Sequence, residues 1–146
     1  GKKGLVVLSS KKKMPFLSDP IYLKNKGFEV CDTAKPYYEL LYLPFEKTAE
    51  KPRFKECAKK GEIQEKGVVL YYSNQCPHTE KYTSLVADIA RIRGIDFSLK
   101  KYESKEEAQK SPAPFTTYSL FYDGKFVTNE ILSEKKFIKF LESATL

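Results

Sequence analysis

An α/β protein in two parts is what this sequence predicts. Short continuous apolar runs, Leu5-Val6-Val7-Leu8 and Val68-Val69-Leu70-Tyr71-Tyr72, read as buried strands. A helical period follows the second run: Tyr82, Leu85, Val86, Ile89 and Ala90 recur at i, i+3, i+4, i+7 and i+8. Residues 46–66, EKTAEKPRFKECAKKGEIQEK, then break the apolar pattern with charge and divide the chain. The domain reading is a first part over 1–45, a charged linker over 46–66 and a second part over 67–146. Phe54 needs cover, so this linker is expected to dock, with a short helix bracketed by Pro52 and Gly61.

The first part opens with a strand over residues 4–9 and a basic loop, Lys11-Lys12-Lys13-Met14. Ser18-Asp19-Pro20 is a helix opening, with an oxygen side chain at the N-cap and proline in the first turn. The helix is short and Gly27 stops it. Phe28-Glu29-Val30-Cys31-Asp32 and Tyr37 to Leu43 form two further strands, Thr33 to Pro36 turns between them, and Pro44 closes the second. Cys31 reads as a small buried hydrophobe within a strand.

In the second part, Ser73-Asn74-Gln75 turns the chain from the strand into Cys76-Pro77-His78-Thr79, which opens the helix that Gly94 ends. The thiolate is the nucleophilic form of cysteine. A helix N-terminus and a protonatable histidine both lower a thiol pKa from about 8.5. Cys76 is therefore the candidate nucleophile, with His78 as its tuner and Thr79 as a hydroxyl that can reach the sulfur. The alternatives are an inert thiol, an ordinary surface histidine and a routine helix-start threonine. Next come a strand at Ile95-Asp96-Phe97-Ser98-Leu99 and a capping box, Ser104-Lys105-Glu106-Glu107, opening a helix to about Lys110. A hairpin from Phe115 to Ile131 turns at Asp123-Gly124, and Ser133-Glu134 caps a last helix with Phe137, Ile138 and Leu141 on one face.

Two resemblances grow from these residues. Strand, Cys-Pro-x-x and helix, followed by the order β-α-β-α-β-β-α, resemble the thioredoxin/glutaredoxin superfamily. Thr79 stands where a second cysteine would be, leaving a monothiol. The superfamily implies a cis-proline before the third strand, facing the cysteine; Pro114 is the candidate and Pro112 the runner-up. Asn74-Gln75-Cys76-Pro77-His78-Thr79, Pro112-x-Pro114 and the Asp123-Gly124-Lys125-Phe126-Val127 hairpin together resemble the YoaP-like domain, known at the C-terminal end of GNAT-family acetyltransferases. Upstream, Lys24-Asn25-Lys26-Gly27-Phe28-Glu29 between a strand and two closing strands resembles the end of a GNAT N-acetyltransferase domain. The fold expected is thus a partial GNAT-type mixed sheet plus a thioredoxin-like domain.

The GNAT resemblance implies acetyl-CoA as cofactor and a small-molecule or peptide amine as acceptor. It also implies a Gly-rich pyrophosphate loop, R/Q-x-x-G-x-G/A, for which there is no room upstream of Gly4. Gly1 is not an initiator methionine, so a longer parent is expected, and this stretch alone is expected to be inactive in acetyl transfer. The family often carries a tyrosine four residues before the signature glycine. Here Leu23 holds that place, with Tyr22 about 100° round the helix, and Tyr22 is expected to pack on the sheet.

Composition narrows the field. Net charge is +7, but the lysine runs are scattered among glutamates and carry no RNP, zinc-finger or helix-turn-helix signature, so nucleic acid is not an expected partner. No run approaches the 18 or so apolar residues of a membrane span, and no leader opens the chain. Cys31, Cys57 and Cys76 form neither a disulfide framework nor, with one histidine, a metal site; a reducing cytoplasm is expected. Cys57 as resolving partner of Cys76, a thiol-bearing partner, a purely binding role for the second part and self-association through open sheet edges remain as expectations.

Overall fold

The computed structural model describes residues 1–144. They form two compact units, one of residues 1–61 with 109–114, the other of residues 62–108 with 115 onward.

The first unit holds β1 (Gly4–Ser10), α1 (Pro20–Asn25), β2 (Glu29–Ala34) and β3 (Tyr38–Pro44). Its antiparallel sheet has the order β1-β3-β2, so the strand last in sequence is central. That placement explains why β3 is the apolar one: Tyr38, Leu40, Leu41 and Tyr42 are all buried. Asp19 caps α1, its Oδ1 accepting from the N–H groups of Ile21 and Tyr22, and Gly27 leaves the helix at φ +92°. α1 lies across the side of the sheet bearing Glu39 and Leu43. Lys24 Nζ is 3.3 Å from Glu39, and the space beside the Gly27 Cα is bounded by Leu43.

Several expectations need adjusting here. β2 continues to Ala34, through the expected turn, because a bulge at Cys31 shifts its register against β3 and carries two more residues into pairing. Tyr22 does not pack on the sheet. It is 61% exposed, while Leu23 is buried, since a six-residue helix offers the sheet a narrow stripe and Leu23 occupies it. The charged segment is divided between the units. Residues 46–61 dock on the first through Asp32, which accepts from Phe54 N–H at 2.8 Å and pairs with Lys59 at 3.1 Å; the expected helix is a single 3-10 turn at Glu56–Ala58. Ile63 N–H instead donates to Gly124 O in the second unit.

The second unit runs β4 (Val68–Tyr72), α2 (Thr79–Ile92), β5 (Phe97–Lys101), α3 (Lys105–Ala108), β6 (Tyr118–Tyr122), β7 (Lys125–Thr128) and α4 (Glu134–Ser143). This is the element order read from the sequence. The sheet order is β5-β4-β6-β7, with β4 parallel to β5 and antiparallel to β6. Val68 and Leu70 of β4, Tyr118 and Leu120 of β6, Val86 and Ala90 of α2, and Phe137 and Leu141 of α4 make one core. Burying each large side chain there contributes about 1.5–3 kcal/mol. α2 turns a seam of Thr79, Thr83, Val86 and Ala90 inward, so Tyr82 and Leu85 sit at its edge. Asp123 and Gly124 both take positive φ, as a two-residue hairpin turn of this hand requires.

Candidate functional site

The C-terminal end of β4 feeds a turn that delivers Cys76 to the start of α2. Two bonds tie the turn to the entry of β6: Ser73 N–H donates to Thr117 O at 3.2 Å, and Thr117 Oγ1 donates to Gln75 Oε1 at 2.9 Å. Cys76 closes the last turn before the helix, its carbonyl accepting from Thr79 N–H at 3.1 Å. The helix proper begins at Thr79, not at Cys76 or Pro77. Pro77 bars the residue before it from helical geometry, which holds Cys76 one tight turn upstream of α2.

The structure places the four predicted site residues differently from one another. Cys76 is half-buried, a free thiol, and its Sγ makes no hydrogen bond among the described residues. His78 is exposed and occupies the N-cap position without its side chain capping the helix. Thr79 is fully buried, and its Oγ1 has no hydrogen-bond partner; Ser73, also buried, leaves its Oγ unpaired. An unsatisfied buried hydroxyl costs roughly 1–3 kcal/mol, and two of them three residues either side of one thiol call for a reason. A hydroxyl can donate to sulfur, and a thiolate is the stronger acceptor. The fourth residue, Pro114, belongs to the first unit, and neither it nor Pro112 follows a cis peptide: among the described residues that bond is Lys35–Pro36. The turn before β6 is made otherwise, by Ser111 Oγ bridging to the carbonyl (2.6 Å) and N–H (3.2 Å) of Ala113.

Ser73, Gln75 and Thr117 are absent from the sequence-derived set. Ser73 and Gln75 carried a weak signal as polar residues flanking a candidate nucleophile. Thr117, 41 positions from Cys76 in a strand approach, carried none.

The other cysteines differ from Cys76. Cys31 sits at the β2 bulge, donating to Leu40 O at 3.3 Å, and burial first, then the Asp32 carboxylate, push its thiol pKa up. Cys57 is exposed. Among the described residues no group of three or more His, Cys, Asp and Glu side chains could hold a metal ion, and no helix is long and apolar enough to cross a membrane.

Comparison with known proteins bears on both units. A family model described as YoaP-like matches residues 97–139, from β5 into α4, a stretch that leaves out Cys76. No solved structure matches the chain. Over 143 residues, 98% of its length, it is 41% identical to a protein of Bacillus subtilis (strain 168) named "Uncharacterized N-acetyltransferase YoaP", and it spans 57% of that relative, a little over half.

Proposed function

We propose that this chain is the C-terminal portion of an acyl-CoA-dependent N-acetyltransferase of GNAT type, with an accessory thioredoxin-like domain. The observation that carries the reading is the near end-to-end similarity to a longer protein named as an N-acetyltransferase, of which this chain accounts for 57%. The β1-β3-β2 sheet supports it. β1 is an edge strand that pairs only with β3 among the described residues, so its outer backbone groups can take a further strand. The β5-β4-β6-β7 order, with β4 and β5 parallel, supports the thioredoxin-like reading of the second unit.

The N-terminus of α1 does not fit the pyrophosphate of acetyl-CoA. The N-terminal N–H groups of α1 are taken by the Asp19 carboxylate, which repels a second anion. In this reading the grip on the cofactor lies in the remainder of the longer protein. The test compares the 146-residue chain with a version extended upstream, using acetyl-CoA, a panel of small and peptide amines, and CoA release as readout. Release by the extended protein and none by the chain is the expected result. Turnover by the chain alone, or an extended protein that does not bind acetyl-CoA, overturns the reading.

A second reading rests on the unbonded Cys76 Sγ with two unpaired buried hydroxyls close by in sequence. In it, Cys76 is a monothiol nucleophile, His78 and Thr79 tune it, and a thiol partner is held as a mixed disulfide. Alkylation rate against pH, followed site by site by mass spectrometry, tests it. A Cys76 midpoint well below about 8.5 supports the thiolate, and free-thiol behaviour leaves the motif as scaffold.

A further inference from the structure

α2 and α4 bound an open groove of about 860 Å³ on the second unit. Both helices spend their inner stripes on the core, so the residues one step round line the groove: Tyr82 and Leu85 from α2, Ile138 from α4, all half-buried. The floor is apolar. The rim is basic, with Lys81 on one side and Lys135 and Lys139 on the other, all exposed. None of the three is in an ion pair among the described residues, whereas the adjacent Lys136 is paired with Glu130. Lys81 instead lies over the Tyr82 ring, 5.8 Å from its centroid. Lys135 and Lys139 stand at i and i+4, a like-charge spacing that disfavours the helix carrying it and that an opposing anion would relieve.

We propose that this groove receives an acidic amphipathic helix from a protein partner. Apolar side chains at i, i+3 or i+4 and i+7 of that helix cover Tyr82, Leu85 and Ile138, and carboxylates four residues apart meet Lys135 and Lys139. Four residues rise about 6 Å on either helix, so the two rows are in step. The open side of the groove favours a helix over a compact ligand, which needs most of its surface enclosed. Glu134 and Glu142 on the same rim disfavour a polyphosphate chain or an anionic lipid surface, which cannot spare them. A helix can place a neutral or basic residue opposite each.

The probe is a synthetic 15-residue helix with leucines on one stripe and glutamates beside them, titrated into the full isotope-labelled chain at low salt and followed by amide NMR. Saturable shifts confined to residues 79–92 and 133–143 are expected. Lys135→Glu with Lys139→Glu should weaken binding about tenfold or more, while Lys12→Glu leaves it unchanged. Both lysines are exposed, and an unaltered spectrum of the free variant checks its fold. No saturable shift at millimolar peptide overturns the proposal, as does equal binding by a scrambled peptide or by its lysine counterpart. Concentration-dependent shifts in α2 and α4 without peptide assign the groove to a second copy, and shifts there with anionic vesicles alone assign it to a lipid surface; either also overturns it.

Discussion

Asp32 ties β2 to the docked segment of the first unit through Phe54 and Lys59. Burial works against its charge, but the N–H groups of Phe54 and Thr33 and the Lys59 ammonium outweigh it and hold the carboxyl below its ordinary pKa. Asp32→Ala leaves the Phe54 N–H unmet and frees Lys59, and should destabilise the first unit by about 1–3 kcal/mol. Because the folded pKa is depressed, this contribution is fully present above the unfolded value of about 3.9 and is lost as pH falls through the folded one. Chemical denaturation of wild type and variant should therefore diverge at pH 6 and converge in acid; a gap that persists at low pH would assign the effect to packing. Cys31 gives a second prediction at this scale. Its raised pKa and its bond to Leu40 O should make it alkylate more slowly than exposed Cys57 at every pH from 7 to 9, read by peptide mass spectrometry.

Element by element, the sequence was most legible where a local signal and a tertiary demand coincide. β4, the body and C-terminal end of α2, the Asp123-Gly124 turn and the Ser133 cap of α4 stand where their residues put them, the cap accepting from Lys136 N–H at 3.4 Å. What resisted reading was decided by partners remote in sequence. The bulge at Cys31 answers to the register of β3, and Thr117 reaches the Cys76 turn across 42 positions from Gln75. α2 starts at Thr79, three residues after Cys76, and a proline after cysteine reads equally as a first helical turn or as the turn before it. Glycines make a testable contrast. Gly67 and Gly94 both need positive φ, but a Cβ on Gly67 would lie 2.8 Å from Asp96 O, whereas at Gly94 it meets open space. Gly94→Ala should cost about 1–2 kcal/mol, the left-handed strain alone, and Gly67→Ala measurably more. Equal melting temperatures for the two variants would contradict the close approach.

At the level of the whole molecule, the open edge of β1 is the feature with solution consequences. An apolar edge strand templates pairing with another chain. The 146-residue chain should therefore associate as concentration rises in sedimentation velocity, and Leu5→Lys with Val6→Lys should shift it towards monomer; a chain that stays monomeric at high concentration would show the edge to be inert. The path between the units carries a different consequence. The chain leaves the first unit after Gly61, returns at Gln109 and departs again after Pro114. A single break at 61/62 thus yields one piece stripped of a segment that packs with it and another burdened with that segment. Pieces cut at 61/62 and expressed separately should therefore each melt below the intact chain, and equal melting temperatures would show that residues 109–114 are dispensable to the first unit.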